Sequence, residues 1–176
     1  TVLFNDNATG TDSFIPADVE PINVTFNNSS KNFTFVASNF GISGSASIVK
    51  NGTGSVTMLT NNFNTGATTI NAGILAVGDG SNGVIDGTAT MTINGGILRI
   101  NDVADAPYTN PTLIAAAGTL EFKGSGPMIL NGASSITGAG TEIFDRDGLV
   151  TINKANQISQ VQILRGEVLI DGSQVL

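Results

Sequence analysis

Apolar and polar residues alternate along this chain in short runs, and helical spacing is almost absent. No stretch of a dozen residues combines apolar positions about 3.6 residues apart with good helix formers, because Gly, Asn and Thr interrupt every candidate. Period-two runs of about four residues predict strands instead. These runs lie at 24–26, 33–36, 55–59, 91–93, 119–122 and 168–170. Asn-Gly and Asp-Gly pairs separate them and are typical of tight turns.

A short phrase recurs along the chain with a period of about 22 residues. Its clearest copies are TINAGILAV at 69–77 and TINGGILRI at 92–100, and weaker copies follow at 116–122, 140–144 and 164–170. Each copy contains a glycine, which permits a tight corner or a positive φ. These glycines are Gly73, Gly96, Gly118, Gly140 and Gly166, at intervals of 23, 22, 22 and 26 residues. Such a period predicts one coil of a three-sided parallel β-solenoid, with three short strands and three turns.

The residues that follow each glycine predict the inside and the outside of the coils. Positions two and four residues after the glycine are mostly apolar, whereas the position between them is mixed. Because side chains alternate between the faces of a strand, we expect the apolar positions to stack inside as a core ladder. The predicted ladder comprises Leu75, Val77, Leu98, Ile100, Leu120, Phe122, Phe144, Val168 and Ile170.

The same alignment leads to three expectations about polar side chains. Glu142 falls on the inward face, so either a one-residue bulge shifts that coil or the coil is out of register in this alignment. Because an unpaired buried carboxylate is costly, we expect the bulge. Arg99 and Glu121 occupy equivalent outward positions on successive coils and are expected to form an ion pair. Asn71 and Asn94 also correspond, which predicts a ladder of hydrogen-bonded amides.

The chain divides into an atypical first region and a regular remainder. Residues 1–40 contain Phe4, Phe14, Phe26, Phe33 and Phe40, which are more than half of the nine Phe. This region predicts an N-terminal cap or irregular first coils. Residues 41–176 predict the β-solenoid repeats. Because the last residues still follow the repeat, we expect the solenoid to continue beyond position 176 in a longer protein.

Composition excludes several classes of function. The chain has no Cys and no His, which excludes disulfides, thiolate zinc sites and a histidine base. Seven Lys and Arg against 14 Asp and Glu give a net charge of -7, which disfavours nucleic acid as a partner. No apolar run approaches the roughly 20 residues of a transmembrane helix. No cofactor and no catalytic residue is predicted.

Two acidic segments are the candidates for site chemistry. Asp6 and Asp12 alternate with Asn and Thr oxygens, which makes them weak candidates for calcium, and an Asn-rich surface turn is the simpler interpretation. Asp102 and Asp105 lie in a longer predicted loop with the single Tyr, Tyr108, and glycosidases use paired carboxylates. No basic cluster accompanies them, so a solvated loop is the simpler interpretation there.

One stretch of the chain resembles a known family. Residues 52–78 read GTGSVTMLTNNFNTGATTINAGILAVG. The motifs GTG at 52–54, TG at 65–66 and TTINAG at 68–73 resemble the autotransporter-associated β-strand repeat of bacterial passenger domains. The resemblance implies a right-handed parallel β-helix, export, and an extracellular or cell-surface location in bacteria. It implies no particular activity, because such passengers include adhesins, scaffolds and carriers of other domains.

Together these patterns favour a non-enzymatic structural or adhesive segment of a secreted bacterial surface protein. It would act as a rigid rod for surface attachment or in a matrix, with surface glycans, surface proteins or copies of itself as partners. The alternative is a self-assembling extracellular filament or surface-layer subunit, which open strand edges would allow. The third interpretation is a polysaccharide-binding or polysaccharide-cleaving β-helix, which the scarcity of aromatic residues weakens.

Overall fold

Sixteen strands form the described part of the fold, and each strand pairs with its neighbours in parallel. They are seen in a computed structural model that describes residues 1–85, 89–101, 108–130, 135–152 and 157–170. The strands are β1 (Val2–Asn5), β2 (Asp12–Ser13), β3 (Asn23–Asn27), β4 (Phe33–Ser38), β5 (Ser47–Asn51), β6 (Ser55–Asn62), β7 (Thr68–Ile70), β8 (Ile74–Val77), β9 (Val84–Ile85), β10 (Met91–Ile93), β11 (Ile97–Ile100), β12 (Thr112–Ile114), β13 (Thr119–Gly124), β14 (Met128–Leu130), β15 (Ile136–Ile152) and β16 (Gln157–Ile170). No described residue lies in a helix, so that part of the chain offers no helix that could cross a membrane.

The strands stack into the three sides of a β-solenoid. The first side contains β1, β3, β5, β7, β10, β12 and the start of β15. The second side contains β2, β4, β6, β8, β11, β13, the middle of β15 and β16. The third side is shorter and consists of the pairs β6–β9, β14–β15 and β15–β16. About seven coils are stacked, about 22 residues apart, which confirms the predicted solenoid.

The register of the second side shows the repeat directly. Ile74 pairs with Ile97, Ile97 pairs with Thr119, and Thr119 pairs with Thr141. Equivalent residues of successive coils therefore lie side by side. A coil cannot bury its apolar face alone, and this register lets each coil bury that face against its neighbours.

The core lies inside the stacked coils. The ladder residues from Leu75 to Phe144 are at most 2% exposed. Full burial of one such side chain contributes roughly 1.5–3 kcal/mol to stability. Val168 is only partly buried and Ile170 is 39% exposed, because no described strand covers the outer edge of β16.

Residues 1–40 belong to the same stack and carry its largest aromatic cluster. β1 pairs with β3 from Val2 to Asn5 without a shift in register. The ring of Phe4 stacks on Phe26 with centroids 5.1 Å apart and meets the edge of Phe35 at 5.3 Å. Large rings in this region therefore fill the inside of the first coils.

The expectation of a bulge at Glu142 is wrong. β13 and β15 stay in register from Thr119↔Thr141 to Gly124↔Arg146, so Glu142 takes the inward position of Leu120 and is fully buried. The irregularities lie instead between β15 and β16, where the register shifts three times.

The alignment of Gly166 with Gly140 is also wrong. Val168 pairs with Val150, so Gly166 follows the corner at Gly148 and not the one at Gly140. The phrase at 164–170 looks like a copy of 140–144 because both combine a glycine with alternating apolar residues. Only pairing across the coils shows which corner each glycine occupies.

Candidate interaction surfaces

The repeat glycines lie at corners where the chain has no room for a side chain. Gly73 and Gly166 have φ of 70° and 74°, a conformation that other residues rarely adopt. At Gly96 and Gly118, a Cβ would lie 2.6 Å from the Gly73 oxygen and 2.3 Å from the Ile93 oxygen. At Gly140 it would lie 2.3 Å from a side-chain carbon of the preceding coil. These glycines therefore allow close stacking of the corners.

An amide ladder runs along the corner between the first and second sides. The side-chain nitrogen of Asn94 donates to the side-chain oxygen of Asn71 at 2.8 Å, and Asn71 donates to Asn51 at 2.8 Å. The predicted pairing of Asn71 with Asn94 is thus confirmed and extends by one coil. The ladder is neutral and exposed to solvent.

A lysine side chain fills the inside of one corner in this same region. Lys50 is fully buried, and its ammonium group donates to the carbonyl oxygens of Asn51 at 2.7 Å, Gly52 at 2.8 Å and Ala72 at 3.3 Å. Burial lowers the pKa of Lys50 to about 8, and the charge of Asp6 opposes this shift. The sequence contained a signal for this position, because Lys50 alternates with the apolar Ile48 in β5.

An arginine has the corresponding role near the end of the stack. Arg146 is 2% exposed, and its guanidinium donates to the carbonyl oxygens of Lys123 at 2.7 Å and Ser125 at 3.0 Å. The bonds join β15 to the corner that follows β13. Both buried cations therefore satisfy backbone carbonyls at corners, where strand pairing cannot.

A line of ion pairs crosses the last four coils on the second side. Arg99 binds Glu121 at 2.7 Å, which confirms the predicted pair. Lys123 binds Asp145 at 2.8 Å. Arg165 in turn binds both Asp145 and Asp147. We call this the ion-pair line, and it comprises Arg99, Glu121, Lys123, Asp145, Asp147 and Arg165.

Two surface grooves lie on either side of the turn that follows β8. The neutral groove has a volume of about 430 Å³, and none of the described residues that line it is charged. Its lining includes Ser38, Asn39, Leu59, Asn61, Asn82 and Val84. The charged groove has a volume of about 380 Å³, and its lining includes Asp79, Asn101, Lys123, Ser125, Asp147 and Arg165. Ser81 borders both grooves.

A third, apolar groove lies beside the first coil. Its volume is about 590 Å³, and its lining includes Val2, Phe4, Phe14, Ile15, Val24 and Phe35. Phe14 is 67% exposed, and Ile22 nearby in the chain is 80% exposed. This end of the described stack therefore exposes several large apolar side chains.

The structure places the two calcium candidates in different surroundings. Both carboxylate oxygens of Asp6 accept the N–H of Ser29 at 3.1 Å, and one of them accepts Ser30 and Lys31 as well. These hydrogen bonds lower the pKa of Asp6 and tie it to the next coil. Asp12 is exposed in β2. Among the described residues, no group of three or more acidic, His or Cys side chains is placed to hold a metal ion.

The candidate loop site does not include Tyr108. Its side chain is only 4% exposed, lies edge-on to Phe122 with centroids 5.2 Å apart, and shares a hydrogen bond of 2.7 Å with the Thr112 hydroxyl. Burial raises the pKa of Tyr108 far above its usual range, and the charge of Glu142 adds to the rise. The ring is therefore a core residue. Asp102 and Asp105 lie outside the described residues.

The carboxylates beside the charged groove have lowered pKa values, which disfavour a role as general acids. Hydrogen bonds from the backbone N–H groups of Asn82 and Ser81 lower the pKa of Asp79. Hydrogen bonds from Arg165 and Lys123 lower the pKa of Asp145. A glycosidase acid needs a shift in the opposite direction. These carboxylates instead hold a turn and stabilise the stack of coils.

The fold and its surfaces define a β-solenoid in which contacts at the corners join successive coils. Residues 48–77, from β5 to the end of β8, match the family model of the passenger-associated-transport-repeat. The match covers nearly all of the stretch 52–78, so the predicted resemblance is confirmed there, and the stretch fits an autotransporter passenger repeat. No curated protein and no solved structure matches the chain significantly.

Proposed function

We propose that this protein is a non-enzymatic structural and adhesive segment of a secreted bacterial surface protein. The observation that supports it most is the unbroken parallel stack, with the passenger repeat at its centre. Strand pairing along the stack resists bending, because each coil adds hydrogen bonds to both of its neighbours. At roughly 4.8 Å per coil, about seven coils make a rod roughly 30–40 Å long.

An adhesive role uses the outside of the rod. Short turns and outward Thr, Asn and Ser side chains present many hydrogen-bonding groups on a rigid support, and rigid presentation lowers the entropy cost of binding. The lowered pKa values of Asp79 and Asp145 disfavour a general-acid role for these two carboxylates. Surface glycans or proteins are the partners that we propose.

Coated beads test this function. Beads that carry the purified chain should attach to bacterial or host surfaces, and beads that carry an unrelated protein of similar negative charge should not. Incubation with a panel of polysaccharides should release no new reducing ends. Equal attachment by both bead types would contradict the adhesive role, and sustained release of reducing ends would contradict the non-enzymatic one.

Self-assembly is the second candidate, and exposed apolar side chains favour it. Leu3 and Ile22 lie exposed at one end of the described stack, and Ile163, Leu164 and Leu169 lie exposed at the other. The outer edges of β1 and β16 pair with no described strand, and unpaired edges accept further strands. Electron microscopy with light scattering would show regular filaments if copies join, and short monomeric rods if they do not.

A further inference from the structure

The neutral groove is built by two local departures from the regular coil. In β4 the pairing with β6 shifts between Phe35 and Ser38, and such a bulge re-aims the side chains that follow it. After β8, the chain makes an extra turn before β9 in which Gly78, Gly80 and Gly83 have positive φ. The groove lies between these two features, and residues from both line it.

Hydrogen bonds hold both walls of the groove in place. The Ser38 hydroxyl donates to the Ile15 oxygen at 2.7 Å and accepts the N–H of Phe40 at 3.1 Å. Across the groove, the Asp79 carboxylate accepts the N–H groups of Ser81 at 2.9 Å and Asn82 at 2.8 Å. The walls are thus ordered without a ligand, which lowers the entropy cost of binding one.

The groove presents free amides beside two apolar side chains. Asn61 faces outward because its neighbour Asn62 is fully buried, and Asn61 lies beside Val84 in the pairing of β6 with β9. Within the described part of the chain, the side chains of Asn39 and Asn61 have no hydrogen-bond partner. Leu59 contributes apolar surface next to them. Amides both donate and accept hydrogen bonds, as sugar hydroxyls do.

We propose that the neutral groove binds an uncharged saccharide, an inference that rests on the adhesive part of the proposed function. Asn39, Asn61 and Asn82 bond the hydroxyl groups, while Leu59 and Val84 contact the C–H face of the ring. The volume of about 430 Å³ lies in the usual range of small-ligand sites. The chain's net charge of -7 repels anionic polymers and leaves uncharged ones unaffected.

Titration by NMR tests the proposal directly. The isotope-labelled chain would be titrated with cellotriose, maltotriose and mannotriose, and with sialyllactose as an anionic saccharide. We expect at least one uncharged trisaccharide to bind with a Kd of roughly 0.1–1 mM. Its chemical-shift changes should concentrate at residues 37–39, 59–61 and 81–84. Binding of no uncharged trisaccharide, binding of sialyllactose alone, or shift changes outside these segments would overturn the proposal.

Two double variants distinguish saccharide binding in the groove from binding elsewhere on the surface. Asn39→Ala with Asn61→Ala should weaken saccharide binding about tenfold or more, because two amide contacts are lost. The matched control, Asn7→Ala with Asn27→Ala, removes two exposed amides elsewhere and should leave the affinity unchanged. Equal loss in both double variants, or no loss in the groove variant, would overturn the proposal.

The same variants keep this proposal separate from the proposed function. If beads coated with the groove variant attach as well as wild-type beads, the adhesive rod stands and the groove is not its binding site. If wild-type beads do not attach but the trisaccharide titration succeeds, the groove stands and the adhesive role fails.

Discussion

Two regions of the solenoid use the same stacking geometry with different surface chemistry. Beside β5, β7 and β10, neighbouring coils are joined outside by the neutral amide ladder and inside by the Lys50 ammonium. Beside β11, β13, β15 and β16, they are joined by the ion-pair line outside and by Arg146 inside. The pairing of strands is parallel and largely in register in both regions.

The difference shows which positions of the coil are constrained. Inward positions and corners must suit the core and the backbone carbonyls, so both regions place apolar side chains and one buried cation there. Outward positions need only complement the same position of the next coil. Amide with amide and cation with carboxylate both meet that need, so the outer surface is free to vary along the rod.

The largest expected effect tests whether the same core supports both regions. Ile70→Ala beside the amide ladder and Phe122→Ala beneath the ion-pair line each remove a fully buried side chain. Each should lower the free energy of unfolding by about 2–5 kcal/mol, measured by urea denaturation. Phe14→Ala, at a position that is 67% exposed, serves as the control and should change it little. A loss in one region alone would break the comparison.

The buried cations should have the next largest effect. Lys50→Ala leaves three carbonyl oxygens at a corner without their donor, and Arg146→Ala removes the donor from Lys123 and Ser125. We expect each change to cost about 2–3 kcal/mol of unfolding free energy, because buried acceptors are costly to leave unsatisfied. Unchanged thermal stability of Lys50→Ala would show that water replaces the ammonium group.

Lys50 should also make stability depend on pH. Its pKa of about 8 in the folded state lies below the unfolded value of 10.5, so the folded state binds fewer protons between these values. The free energy of unfolding should therefore rise from pH 8 to pH 10, by about 2 kcal/mol.

The control for the pH effect is Lys50→Met, which should show no such rise. Tyr108 acts in the opposite sense, because its pKa is raised and its contribution to stability is lost as the pH rises above about 10. Measurements should therefore stop at pH 10. A flat wild-type profile between pH 8 and pH 10 would contradict the assignment to Lys50.

The smallest expected effects separate the two outer surfaces by their response to salt. Asn71→Ala should lower the free energy of unfolding by about 1 kcal/mol at any ionic strength, because it removes neutral hydrogen bonds. Asp145→Asn should lower the free energy of unfolding by about 0.5–1 kcal/mol at low salt. The loss should be much smaller at 1 M salt, where charges are screened. Denaturation at both ionic strengths measures the difference. An equal salt response would mean that the ion-pair line does not act through charge.

Much of the fold was predictable because the solenoid repeats along the sequence itself. The glycines 22 to 23 residues apart predict the register from Gly73 to Gly140, and the burial of Leu75 through Phe144 follows from alternation within each strand. The prediction fails at the end of the stack, where β15 and β16 shift in register and the interval is no longer constant. Local pattern cannot reveal such a shift.

The candidate site was less predictable for a different physical reason. The neutral groove joins residues 37–39, 59–61 and 81–84, which belong to three coils and share no motif. Tyr108 appeared to be a loop residue because Pro and Asp surround it in sequence, yet its ring packs on Phe122 from the next coil. Lys50 alternates with Ile48 in β5, but the sequence does not show the three carbonyl oxygens that accept hydrogen bonds from its ammonium group.

By itself, the sequence determined the class of fold, the coil length and most of the core. The reason is that equivalent residues of successive coils stack on one another, so neighbours in space are separated by a fixed number of residues in the chain. Tertiary structure alone decided how the core accommodates its polar side chains and where the grooves open. Glu142 and Lys50 are inside because strand register places them there. Alternation within each strand indicates their inward direction, but whether a polar side chain is accommodated there depends on backbone corners and neighbouring coils.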